Sequence, residues 1–100
     1  MSIESKLSSD GKTMTIGVRG RFDFSVVNEF RGAYEAKGEG LSYTIDLKQA
    51  EHIDSSALGM LLNMRSFLGG DEAKIQIIHC APGIRKILEI SRFDKKFQIS

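Results

Sequence analysis

The segment from Ile53 to Leu62, IDSSALGMLL, constrains the fold of this chain most, because it joins a polar helix start to an apolar helix body. Asp54 is a favoured N-cap residue, since its side-chain oxygen accepts hydrogen bonds from the free N–H groups of a first helical turn. The run that follows contains helix-forming residues and no proline. The segment therefore predicts a helix over Ala57–Leu68 that is preceded by Ser55 and Ser56.

Ser55 and Ser56 fall where the backbone N–H groups of such a helix are still unpaired. This end of a helix carries a partial positive charge and accommodates an added anion, including a phosphate on serine. Two interpretations remain open. Asp54 and the two serines either only cap a core helix, or they form a polar tip that phosphorylation can switch.

At about 100° per residue, the predicted helix places its apolar residues on one broad arc. That arc consists of Ala57, Met60, Leu61, Met64, Phe67 and Leu68. Gly59, Asn63 and Ser66 form the polar remainder, and Ser55 projects close to Gly59. Glycine inside a helix costs roughly 0.8–1.0 kcal/mol relative to alanine. Gly59 is therefore interpreted either as part of a partner-docking surface beside Ser55 or as a tight internal contact.

Composition predicts one small globular domain over residues 1–100, which we expect to be a monomer. The chain has 41% hydrophobic and 27% charged residues, which is ordinary for a globular protein. Its net charge of +1 gives no general attraction to nucleic acid or membrane. Residues 81–100 carry five basic and two acidic side chains, and this local excess of +3 is too weak to indicate a phosphate-backbone footprint. We expect no nucleic-acid partner.

Cysteine use and the N-terminus favour a cytoplasmic protein. Cys80 is the single cysteine, so an internal disulfide is excluded and a reducing compartment is expected. The N-terminus lacks the apolar core of a signal peptide, and no apolar run approaches the ~18 residues that span a bilayer. We expect no membrane partner.

No enzyme or cofactor chemistry is indicated by the sequence. His79 and Cys80 are adjacent, but the other histidine is His52, and this set does not predict a zinc site. Gly69-Gly70 and Pro82-Gly83 match no phosphate-cradling motif, and no serine, histidine and carboxylate arrangement offers a catalytic set. We therefore expect no metal, no cofactor and no enzymatic activity.

Hydrophobic periodicity predicts the element order β β α β α β α β. Strands are predicted at residues 3–8, 13–18, 41–47, 73–79 and 95–99. The first two strands flank a turn signal and should pair antiparallel, whereas the short strand–helix–strand units favour parallel pairing. The predicted class is α/β, with a small mixed β-sheet of four to five strands and three to four helices packed mainly on one face.

Capping and breaking residues set the predicted helix ends. Ser25 is predicted to be the N-cap of the first helix, which ends at Lys37–Gly40. Gly69-Gly70 stops the second helix, and Pro82 lies in the first turn of the third. The residues from Leu47 to the Asp54 helix are predicted to be a short loop.

Asp23 is a second polar residue that follows a strand. It is interpreted as a cap that leads a helix, as a partner contact, or as both. Binding sites in open sheets collect at one end of the strands, so the loops that hold Asp23 and Asp54 should converge. We expect Asp23 near Ser55, with Arg21 and Phe22 joining the docking surface.

Taken together, these motifs resemble the STAS domain family and, within it, the bacterial anti-sigma factor antagonists (anti-anti-sigma factors). The resemblance is carried by Asp54-Ser55-Ser56-Ala57-Leu58-Gly59 after a strand with Ile45-Asp46-Leu47, by Gly20-Arg21-Phe22-Asp23, and by Cys80-Ala81-Pro82-Gly83-Ile84-Arg85-Lys86-Ile87-Leu88. Ala57 replaces a glycine that is frequent in the family. Because alanine is the better helix former, it should stabilise the start of the helix.

The resemblance implies a STAS fold and a protein–protein switch. Such proteins bind an anti-sigma factor, often one with a serine kinase domain, and so release the sigma factor. The kinase phosphorylates the first serine after the Asp, here Ser55, a PP2C-type phosphatase reverses this, and Ser56 is the more structural hydroxyl. Including the residues chosen above, the expected partner contacts are Arg21, Phe22, Asp23, Asp54, Ser56, Gly59 and Asn63.

Another interpretation is a STAS subunit of a bacterial lipid-transport ABC complex, which docks on its ATPase. Those subunits resemble this chain in having Asp-Thr or Asp-Ser followed by small residues. The adjacent Ser55 and Ser56 favour the antagonist role. A nucleotide-binding or hydrolysing module is disfavoured because the chain has no phosphate loop.

Overall fold

A computed structural model describes residues 2–35 and 40–100 of the chain. In this part of the chain the strands are β1 (Ile3–Leu7), β2 (Thr13–Val18), β3 (Gly20–Phe22), β4 (Ser42–Asp46), β5 (Ala50–Ile53), β6 (Ile75–Ile78) and β7 (Gln98–Ile99). The helices are α1 (Val27–Glu35), α2 (Ser55–Phe67) and α3 (Pro82–Ile90), with short 3₁₀-helices at Phe24–Val26, Gly70–Glu72 and Phe93–Lys95.

Five strands form one mixed sheet in the order β1-β2-β4-β6-β7. β1 pairs antiparallel with β2, as the tight turn between them requires, and the other neighbours pair in parallel. Parallel neighbours need crossover connections, which here contain the helices. The predicted α/β class with a small mixed sheet is confirmed.

The helices cover one face of this sheet. Every second residue of β2 and β6 is buried, and these residues join one core with the buried faces of the helices. The buried set on these two strands is Met14, Ile16, Val18, Ile75 and Ile77. The opposite face is polar, with Gln76 donating a hydrogen bond to Thr44 at 3.0 Å. The prediction that helices pack mainly on one face is therefore confirmed.

A second, two-stranded sheet was not predicted. β3 pairs in parallel with β5, and Phe22 lies opposite Ile53. The prediction of a plain loop between Leu47 and Asp54 is wrong, because β5 lies within that segment. Strands of three and four residues are too short to show the alternation that identifies a strand in a sequence.

The helix ends follow the predicted signals in most places. Gly69 ends α2 with a φ of +114°, a left-handed conformation that glycine adopts readily, and Pro82 is the first residue of α3. Phe67 departs from the predicted apolar arc, since it is 45% exposed. The predicted end of α1 at Lys37-Gly38-Glu39 lies outside the described residues.

Across residues 2–35 and 40–100, every helix is too short or too polar to cross a lipid bilayer.

Candidate functional site

Two turns with the pattern Asp-x-Ser lie side by side where β3 and β5 end. Because Phe22 and Ile53 are partners in the parallel pair, the next residues, Asp23 and Asp54, leave neighbouring strands. Neighbouring strands are about 4.8 Å apart. The two carboxylates also interact electrostatically. The predicted convergence of the two loops is confirmed.

Asp54 caps α2 as the sequence predicts. Its Oδ1 accepts hydrogen bonds from the Ser56 hydroxyl at 2.6 Å and from the Ala57 backbone N–H at 3.1 Å. These two hydrogen bonds, the Ser56 hydroxyl first, hold the pKa of Asp54 below its ordinary value. Asp54 is therefore ionised at neutral pH, and the hydroxyl of Ser56 is committed to the cap.

Asp23 repeats this arrangement at the start of the first helical segment. Its Oδ1 accepts hydrogen bonds from the Ser25 hydroxyl at 2.5 Å and from the Ser25 backbone N–H at 3.0 Å. Its Oδ2 lies 3.2 Å from Nε of Arg21. The Ser25 hydroxyl, the Ser25 N–H and Arg21 lower the pKa of Asp23 in that order. Asp23 is the cap, and the prediction of Ser25 as the N-cap is wrong.

Ser55 differs from Ser56 in exposure and in bonding. Its side chain is exposed at the first residue of α2. Within the described residues, its hydroxyl has no hydrogen-bond partner. An added group at this oxygen therefore meets solvent rather than the protein core. The expected exposure of Ser55 is confirmed.

Gly59 and Asn63 continue the exposed side of α2 beyond Ser55. A Cβ built at Gly59 has no atom outside the neighbouring helix backbone within 4 Å. The interpretation of Gly59 as a tight internal contact is therefore wrong. The glycine leaves a low, open surface one turn after Ser55.

We expect Gly59→Ala to raise the free energy of unfolding by about 0.8–1.0 kcal/mol, because alanine is the better helix former and its methyl group enters open space. Urea denaturation followed by circular dichroism measures this change. Gly69→Ala is the matched control and should destabilise the protein, since residue 69 has a φ of +114°. A stability loss for Gly59→Ala would contradict the open environment.

Phe22 was expected to contact a partner, and this prediction is wrong. Its side chain is 0% exposed, and its ring centroid lies 5.2 Å from that of Phe30. Phe24, which the sequence analysis did not select, is 69% exposed. The repeated Asp-x-Ser pattern could have identified Phe24 in the sequence. Phe24 is the middle residue of the first turn, as Ser55 is of the second.

Side chains away from these two turns give little indication of metal binding or nucleophilic chemistry. The described ranges contain no group of three or more His, Cys, Asp or Glu side chains that could hold a metal. Nδ1 of His79 lies 2.9 Å from Oδ1 of Asp46, which also accepts a hydrogen bond from the Lys48 backbone N–H at 3.0 Å. Burial raises the pKa of the Cys80 thiol, which makes it a poor nucleophile at neutral pH.

Two comparisons of the sequence with known proteins both match STAS-domain proteins. Residues 5–99 match the family model described as "Mlab, STAS domain". A STAS-domain containing protein of Pseudomonas aeruginosa (strain UCBPP-PA14) is 46% identical over 101 residues, with 100% of both chains covered.

Two solved structures share the fold. A putative anti-sigma factor antagonist from Thermotoga maritima has a TM-score of 0.81 at 16% identity, over 97% of this chain and 84% of that one. The unphosphorylated form of the anti-sigma factor antagonist SpoIIAA from Bacillus has a TM-score of 0.78 at 17% identity, over 98% and 87% of the two chains.

Proposed function

Because this chain belongs to the STAS domain family, we propose that it is an anti-sigma factor antagonist whose binding is switched off by phosphorylation of Ser55. The unphosphorylated protein binds an anti-sigma factor that carries a serine kinase domain, and so frees the sigma factor. A PP2C-type serine phosphatase restores the binding form. In this proposal the chain acts by binding in the cytoplasm, without enzymatic activity or a cofactor.

The observation that carries this proposal is the difference between two adjacent hydroxyls. The Ser56 hydroxyl donates to Asp54 at 2.6 Å and is part-buried. The Ser55 side chain is exposed. A kinase needs an acceptor hydroxyl that can enter its active site, and only Ser55 of this pair offers one. The description of both solved structures as anti-sigma factor antagonists, one of them putative, supports the same role.

The charges around Ser55 explain how a phosphate would act. Phosphorylation adds about −1.5 to −2 charges. The N-terminus of α2 stabilises part of this charge in the free protein. In a complex, the phosphate must lose water beside the carboxylates of Asp54 and Asp23. A loss of about 1.4 kcal/mol already weakens binding tenfold, so one phosphate suffices for a switch.

The proposed docking surface surrounds Ser55. It consists of the exposed parts of Arg21, Asp23, Asp54, Ser55, Gly59 and Asn63. Arg21 is 68% exposed in its side chain and pairs with Asp23 at 3.2 Å. Ser56 belongs to the surface through its hydrogen bond to Asp54, which fixes the start of α2. Gly59 lets a partner approach the helix backbone closely.

The test is phosphorylation by purified serine-kinase anti-sigma factors from the organism that encodes this chain. Intact-mass measurement with ATP should give one phosphate on the native protein, one on Ser56→Ala and none on Ser55→Ala. Ser56→Ala is the matched control, because it removes the neighbouring hydroxyl and costs at most ~1 kcal/mol of stability through the cap.

Two outcomes would contradict the proposal in different ways. A phosphate on Ser56 and none on Ser55 would refute the assigned residue while leaving a switch at this helix start. No phosphate on either serine, together with recovery of an ABC transporter ATPase in a pull-down, would refute the antagonist function. That second result would identify the chain as a subunit of a lipid-transport complex.

A further inference from the structure

Phe24 and Ser55 occupy matching positions in the two Asp-x-Ser turns. In each turn, the aspartate accepts hydrogen bonds from the hydroxyl of a serine two residues later, and a helical segment begins. The middle residue of each turn is exposed. Because β3 and β5 pair in parallel up to Phe22 and Ile53, each middle residue lies two positions beyond a paired residue, in neighbouring turns.

The turn fixes the backbone position of Phe24. Asp23 binds both the backbone N–H and the hydroxyl of Ser25, so the backbone on either side of Phe24 is held. A residue that is already positioned loses little conformational freedom on binding. An aromatic side chain also gains much from burial, since it covers about 150–250 Å². Phe24 thus has the features of an interface anchor.

Exposure alone would not distinguish Phe24, because single exposed apolar side chains are common on protein surfaces. Ile90, for example, is 72% exposed on α3. The difference is that Phe24 lies in the turn next to the one that holds the exposed Ser55. The Asp23 carboxylate beside it is paired with Arg21 at 3.2 Å, so the turn carries little net charge. An apolar pocket can therefore close over the ring without leaving the Asp23 carboxylate unpaired.

We propose that Phe24 anchors the complex by inserting its ring into an apolar pocket of the anti-sigma factor. This inference rests on the proposed function. The anchor places Ser55 under the rim of that pocket, where its small hydroxyl fits and a phosphate does not. The phosphate then acts by lifting the Phe24 ring out of the pocket.

The test compares two exposed apolar side chains in binding to the purified kinase that phosphorylates the native protein. Isothermal titration calorimetry should show Phe24→Ala binding at least about tenfold more weakly. Ile90→Ala is the matched control and should stay within about twofold, as surface substitutions away from an interface do. Thermal melting should be the same for both variants. Binding of Phe24→Ala within about twofold of native would overturn the anchor role.

A double-mutant cycle separates this inference from the proposed function. Ser55→Asp should cost less affinity in the Phe24→Ala background than in the native protein, because residues that share one contact are coupled. If Ser55→Asp weakens binding of the native protein and the losses of affinity from Ser55→Asp and Phe24→Ala are additive, the proposed function is supported. The coupling between Ser55 and Phe24 is then refuted. If the native protein binds no serine-kinase anti-sigma factor, the function fails and the anchor role fails with it.

Discussion

Ser55→Asp is expected to bind the anti-sigma factor at least about tenfold more weakly than the native chain, whereas Ser55→Ala is expected to bind normally. The aspartate adds a charge to a surface that already holds Asp54 and Asp23, and docking must desolvate it. The alanine removes only a hydroxyl that has no partner in the described structure, and the Asp54 cap stays intact. Titration calorimetry with the purified kinase measures both affinities.

Ser66→Asp is a control for the charge itself. Ser66 is exposed on the same helix, and it follows Ser55 by three helical turns, about 16 Å along the axis. Its substitution adds the same charge on the same side of α2 and should change affinity by no more than about twofold. If Ser66→Asp weakens binding and Ser55→Asp does not, the docking surface lies at the other end of the helix.

The phosphorylated protein should bind more weakly than Ser55→Asp. A single carboxylate has half the charge of a phosphate dianion and lacks its size. This ordering follows from desolvation at a contact surface. An aspartate that blocks binding as fully as the phosphate does would mean that any negative charge at residue 55 is sufficient.

Local sequence rules predict the start of α2 well. Asp54 has the right residue type immediately before an uninterrupted run of helix formers, and its two capping hydrogen bonds are formed within three residues of the chain. The same locality made the antiparallel turn of β1 and β2 predictable. In these places the interacting groups are close in sequence, so no distant contact decides the outcome.

The features that the sequence did not predict depend on contacts between residues far apart in the chain. β3 and β5 are separated by more than a helix and a strand, and neither has enough residues to show alternation. Their pairing turns Phe22 toward Phe30 and leaves Phe24 outside. The two phenylalanines flank the same aspartate, and the repeated Asp-x-Ser pattern is the local feature that distinguishes Phe24 from Phe22. The convergence of the two loops was therefore predicted correctly, but the exposed aromatic residue beside Asp23 was misassigned.

The two turns also separate the hydroxyls that cap a helix from the residue that is left exposed. Ser25 and Ser56 each donate to the aspartate two residues before them, and this fixes the turn. The residue between the aspartate and the serine takes no part in these hydrogen bonds. Such a turn can therefore carry a phenylalanine in one case and a phosphorylatable serine in the other, without a change in the helix start that follows it.

The other large effect is expected in stability and concerns Phe22 rather than Phe24. Phe22→Ala should lower the free energy of unfolding by about 3–5 kcal/mol, as truncation of a buried aromatic side chain does. The ring is fully buried, and its tilted contact with Phe30 at 5.2 Å is lost as well. Urea denaturation measures the change, and Phe22→Leu should be less damaging because it leaves a smaller cavity.

Phe24→Ala is the matched control for that measurement, since it removes the same ring two residues away at an exposed site. Its stability should stay within about 0.5 kcal/mol of native. Small domains have only about 5–15 kcal/mol of stability, so Phe22→Ala is expected to populate unfolded chains. Lost partner binding by Phe22→Ala would then reflect unfolding, whereas lost binding by a folded Phe24→Ala protein reflects the interface. Equal stability losses for the two variants would contradict the placement of Phe22 in the core.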